Sequence, residues 1–164
     1  MSQNTPQEQA TIRTDIGREV ERIAKTSSKQ FEDLIGNARW FTTLVIAEVA
    51  AIAKLAQTAH GAQFLVFLIA MLLLATSAAF LIFSITLAQS LKNSTEKATV
   101  DLLVDLPTTD LSSVGSSEVS DLLKDVKTSL TFTDDDAEPQ ARSTIGLIIF
   151  LVGSCVGGVA LFLG

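Results

Sequence analysis

A chain of 164 residues with 18 acids, 12 Lys and Arg and a net charge of -6 offers nucleic acid no basic patch. One histidine (His60), one cysteine (Cys155) and no tyrosine exclude an internal disulfide and a CxxC redox or metal motif, and leave most catalytic constellations without parts. With 48% of residues hydrophobic the composition alone is ordinary, so the class is decided by clustering.

No charge occurs from Gly61 to Leu91, or from Ser143 to Gly164. Crossing a hydrocarbon core of about 30 Å takes about 20 mostly apolar residues, and both stretches supply them. The expected fold is all-α and integral to a membrane. It comprises an N-terminal amphipathic helix (1–39), a transmembrane helical hairpin (40–91), an acidic connection (92–143) and a C-terminal transmembrane helix (144–164).

Residues 1–11 are polar and read as frayed. Apolar or small residues then recur at Ile12, Ile16, Val20, Ile23, Ser27, Phe31, Leu34 and Ala38, in steps of three and four. Repetition every eleven residues from Ile16 to Ala38 matches an almost straight helix with one narrow seam. The seam can pack on its own chain, on a second copy or on another helix. A membrane-surface helix fits less well, because such helices gather Lys and Arg on the polar face.

Arg39 and Trp40 mark an interface: a cation outside the hydrocarbon and an aromatic ring at headgroup level. Trp40 to Ala59 is the first span, and the turn lies at His60–Gln63, with His60 an ordinary neutral turn residue. The second span, Phe64 to Leu91, is longer than a bilayer needs and either tilts or continues as helix beyond it. In the connection, eleven acids face five bases. "VDLLVDLP" extends the long helix and stops before Pro107. "SSEVSDLLKDVKTSL" (116–130) predicts a short amphipathic helix with Val119, Leu122, Leu123, Val126 and Leu130 on one side, capped by Ser116 or Ser117. Asp134, Asp135 and Asp136 lack the alternating spacing of a calcium loop. In the last segment Gly146, Gly153, Gly157 and Ala160 make a small-residue stripe, and Gly153 with Gly157 is a GxxxG that lets two backbones approach closely in lipid.

With three spans, residues 1–39 and 92–143 share one side and hold eleven of the twelve Lys and Arg. The positive-inside rule places that side in the cytoplasm and the C-terminus at the opposite face of an inner or cytoplasmic membrane. Glu48 and Lys54 weaken the first span, since a central charge opposes insertion by about 2.5 to 3.5 kcal/mol and each large aliphatic returns only about 0.3 to 0.6. Should that segment lie on the surface, two spans remain. A helix turns about 100° per residue, so Glu48 and Lys54 diverge by about 120° and cannot pair. Lys54 can snorkel toward the headgroups. Glu48 has no charge to meet in the other spans, and in a hairpin the nearest hydroxyls are those of Thr76 and Ser77.

These features predict a non-enzymatic accessory or assembly subunit of a membrane complex, held by helix–helix contacts to other membrane subunits or to itself. The alternative is a homo-oligomeric pore or membrane-permeabilising effector of the holin or toxin kind. An ion or proton path through Glu48 is a third reading. No cofactor or metal site is expected.

Overall fold

The computed structural model describes residues 5–106, 120, 121, 124 and 137–162, and every regular element among them is a helix. Helix α1 runs unbroken over Pro6–Ala56, α2 over Ala62–Asp105 and α3 over Ala137–Ala160. Ser120, Asp121 and Lys124 are helical, but the rest of the segment 116–130, its apolar side and its cap included, lies outside the described residues. So does the acid run 134–136.

Helix α1 starts at Pro6 instead of fraying through residue 11, because Thr5 and Glu8 form a reciprocal cap. The Glu8 N–H donates to Thr5 Oγ1 (3.3 Å), while Thr5 donates to Glu8 Oε2 from its backbone N–H (2.7 Å) and its hydroxyl (2.9 Å). Pro6 suits the first helical position, where its missing N–H costs nothing. The backbone N–H of Thr5, helped by its hydroxyl, holds the Glu8 carboxyl below the usual range.

Packing divides the chain in two, one unit combining residues up to Glu32 with those from Ser90, the other Asp33–Gln89 with those from Ala137. In the first, polar unit the α1 seam is buried at Ile16, Val20, Ile23, Ser27 and Phe31. Ile16, Val20 and Ile23 pack with Ile12 against Leu102, Leu103 and Leu106 at the end of α2. The seam is thus covered by its own chain. The α2 extension that covers it ends at Asp105, short of Pro107.

An ion pair ties the two helices of this unit: Lys92 Nζ donates to Glu32 Oε1 at 2.7 Å, with Glu96 3.7 Å away. The ammonium holds the Glu32 carboxyl below its ordinary value, and the carboxylate raises Lys92. A lowered acid stabilises the fold above its unfolded pKa and loses that contribution as pH falls through the folded value. A raised base contributes below its unfolded pKa and loses it as pH rises through the folded value. The tie therefore holds between the carboxylate and lysine ranges and fails at both ends. After correction for its intrinsic pH dependence, amide exchange near Glu32 is expected to quicken on acidification in the wild type and to be equally fast at neutral pH in Glu32→Gln. Unchanged exchange in both would refute the tie.

The second, apolar unit contains the ends of α1 and α2 nearest their turn, and α3. Its core collects Ala38, Val45, Ile52, Ala56 and Ala59 with Phe67, Ala70, Leu74 and Leu81 of α2 and Ala160 of α3. The turn comes three residues earlier than His60–Gln63, because Thr58 N–H and Ala59 N–H close tight bonds to Leu55 and Ala56 (3.2 and 3.3 Å) and end α1. Gly61 then takes φ +59°, a left-handed conformation that glycine adopts without strain, and α2 begins at Ala62. Among the described residues, α2 and α3 are long and apolar enough to cross a membrane.

Candidate functional site

The apolar unit is held by a regular seam between α2 and α3. On α2, Gln63, Ala70, Ser77 and Ser84 recur every seven residues; on α3, Ala160, Gly153, Gly146 and Pro139 recur at the same interval in the opposite direction. Three of these four rungs carry a hydrogen bond. Gln63 Nε2 donates to the Ala160 carbonyl (3.2 Å), Ser77 Oγ to that of Gly146 (2.7 Å) and Ser84 Oγ to that of Pro139 (2.7 Å). Ser77 and Ser84 are fully buried, so each hydroxyl needs such an acceptor. Short side chains on both helices bring the backbones close enough to provide it. Near the start of α3, Arg142 pairs with Glu138 and lies 4.5 Å from the Phe83 ring centre.

The glycines of the predicted stripe fill the remaining space on this interface. A Cβ at Gly146 would sit 3.1 Å from Leu81 Cγ, and one at Gly153 would sit 3.2 Å from Leu74 Cγ. A Cβ at Gly157 would meet the end of Ile52 on α1 at 2.8 Å and Ala70 at 3.7 Å. The GxxxG of Gly153 and Gly157 therefore serves contacts within the chain.

Glu48 finds its partner on α3. Its Oε2 accepts a hydrogen bond from Ser154 Oγ at 2.8 Å, and the same hydroxyl lies 2.9 Å from the Phe150 carbonyl. The hairpin hydroxyls expected there are engaged elsewhere. Thr76 is exposed and donates to Leu72 of its own helix (2.9 Å), and Ser77 turns to Gly146. Those hydroxyls are nearest within the hairpin alone, whereas Ser154 of α3 reaches the acid first. Lys54 is exposed in the last turn of α1, where a cation is favoured by the helix dipole, and has no ion pair among the described residues.

Gln63, Ser84 and Ser154 escaped the sequence reading. Small residues every seven positions along α2 (Ala70, Ser77, Ser84) carried a signal matching the glycine stripe of α3. Nothing local marked Ser154, whose role depends on where α1 lies. Chemically, the arrangement satisfies polar groups inside an apolar unit and leaves large aliphatic side chains outside. Compared with protein-family models, with curated proteins and with solved structures, the chain matches none.

Proposed function

We propose that the protein crosses a cytoplasmic membrane three times and works as a non-enzymatic accessory or assembly subunit of a membrane complex. One observation carries this reading: the apolar unit buries Ser77 and Ser84 while long runs of large apolar side chains on α2 and α3 stand exposed. Leu65, Leu68, Ile69 and Leu72 of α2 are exposed, as are Ile145, Ile148, Leu151 and Val152 of α3. In water such a belt is a liability; in lipid it is the solvated surface.

The third span is supported by burial: Val45, Ile52 and Ala56 of α1 share one core with Phe67, Ala70 and Leu74 of α2. If α2 crosses the bilayer, the end of α1 lies at the same depth. The positive-inside rule then keeps the N-terminus and residues 92–143 in the cytoplasm and carries the end of α3 to the opposite face. A pore draws less support, because α2 and α3 expose mostly apolar side chains and Ser77, Ser84 and Gln63 of α2 already donate to carbonyls of α3.

Induced expression with a membrane-potential dye, followed by extraction in mild detergent, tests the reading. The expected result is an intact potential and elution at a mass above that of the chain and its micelle. Rapid depolarisation would establish the pore instead, and elution as a lone monomer would remove the subunit role.

A further inference from the structure

With Glu48 ionised, its contact with Ser154 is one hydrogen short. Ser154 Oγ lies 2.8 Å from Glu48 Oε2 and 2.9 Å from the Phe150 carbonyl oxygen, and both are hydrogen-bond lengths. A serine hydroxyl carries a single hydrogen, and a carbonyl or an ionised carboxylate supplies none. Two short oxygen–oxygen contacts therefore call for a second hydrogen, which the carboxylic acid form of Glu48 provides. In that form the acid O–H donates to Ser154 Oγ, Ser154 donates to Phe150, and the three groups make an unbroken chain.

The surroundings favour the same form. Glu48 and Ser154 are both half-buried at the edge of the apolar unit, and Ile46 of α1 and Leu151 and Val152 of α3 nearby in sequence are exposed. Among the described residues Glu48 has no ion pair. On its own helix Lys54 is exposed and diverges by about 120°, Arg39 lies about 14 Å back along the axis, and His60 lies past the helix end. On α2 no charged residue precedes Lys92, and α3 has none from Ser143 onward. Arg142, about 18 Å from Ser154 along α3, pairs with Glu138, and the thiol of Cys155 is exposed and turned about 100° from Ser154. In lipid an ionised carboxylate without a cation is costly, whereas a neutral acid with its hydrogen bonded is tolerated.

From this geometry, and resting on the membrane reading above, we infer that Glu48 is a proton-binding site inside the bilayer, where α1 meets α3 through a neutral carboxylic acid that donates to Ser154. Ionisation removes the hydrogen that joins the two side chains, so this contact is coupled to the proton. The site also fits one modification chemistry, that of a lipid-soluble carbodiimide. The acid proton passes to a carbodiimide nitrogen as the carboxyl oxygen bonds to the central carbon. An acyl shift from oxygen to nitrogen then leaves a stable N-acylurea on Glu48.

The full chain is reconstituted in phosphatidylcholine vesicles at neutral pH. Infrared difference spectra between the wild type and Glu48→Gln are expected to show the C=O stretch of one protonated carboxylic acid. Ser154→Ala should shift that band to higher frequency, because the acid loses its acceptor. Ser154→Thr keeps the hydroxyl and should leave the band in place. Dicyclohexylcarbodiimide is expected to label Glu48, read by mass spectrometry, and a water-soluble carbodiimide to leave it unlabelled.

A carboxylate band in place of the acid band would overturn the proposal. So would equal labelling by the two reagents, or an acid band that Ser154→Ala does not move. Protease protection in the same vesicles separates the two readings. An inserted chain with an ionised Glu48 refutes the proton site alone, and a chain that does not insert refutes both.

Discussion

Gly153→Ile is expected to separate α2 from α3 and to unfold the apolar unit at markedly lower temperature or denaturant in detergent. Even the Cβ would lie 3.2 Å from Leu74 and 3.3 Å from the Cβ of Leu73. Leu74 is fully buried, and a Cβ moves only with its backbone, so neither neighbour can retreat. Overpacking of this kind costs about 1–3 kcal/mol for modest additions, and a branched side chain exceeds a modest addition. The hydrogen bonds flanking the rung, Ser77 to Gly146 and Gln63 to Ala160, would lengthen with it. Gly153→Ala should show the same effect in weaker form.

The other glycines of α3 grade the effect. Gly146→Ala meets Leu81 and Phe80 at 3.1 and 3.3 Å and should resemble Gly153→Ala. Gly157→Ala presses on the tip of Ile52, which can swing aside, and touches Ala70 at an ordinary 3.7 Å, so it should be milder. Gly158 has nothing within 4 Å, so Gly158→Ile should be nearly silent. Equal damage from Gly158→Ile and Gly153→Ile, followed by circular dichroism through thermal unfolding, would refute the seam.

The second large effect is an asymmetry between Glu48 and Ser154. Removing the acid by Glu48→Leu leaves Ser154 its Phe150 carbonyl, so no polar group loses its last partner. If α1 spans as proposed, it also replaces a residue that opposes insertion with one that favours it, a gain of about 3 kcal/mol for that segment. Ser154→Ala takes the hydroxyl from a carboxyl inside an apolar unit, and such an orphaned group costs about 1–3 kcal/mol or more. Glu48→Gln keeps a group able to bond Ser154 and should leave the fold as it is. Unfolding in detergent and glycosylation-tag mapping of insertion are expected to rank Glu48→Leu at or above the wild type, and Ser154→Ala below it. A Glu48→Leu protein as unstable as Ser154→Ala would reveal a further partner for the acid. A stable Glu48→Leu protein that fails to form the proposed complex would place the value of the acid in function.

Much of this was legible in advance because helical period and charge-free length are local properties. Ile16, Val20 and Ile23 follow from spacing alone, as does the end of α2 before Pro107. The turn was displaced because the bonds closing it depend on Thr58, whose local geometry no periodicity reveals. The N-terminal cap was missed by reading residues 1–11 as polar composition; Thr5, Pro6 and Glu8 already contained the signal.

By itself the sequence determined the element type, the two strongest apolar stretches, the small-residue stripe of α3 and the seam of α1. Each needs only a side chain's place on its own helix. Tertiary structure decided which helix meets which face. It set Gly146 and Gly153 against α2, Gly157 against α1, Ser77 on α3 instead of Glu48, and Ser154 on Glu48. A stripe states that something can come close; only the packing of three helices at once selects what does.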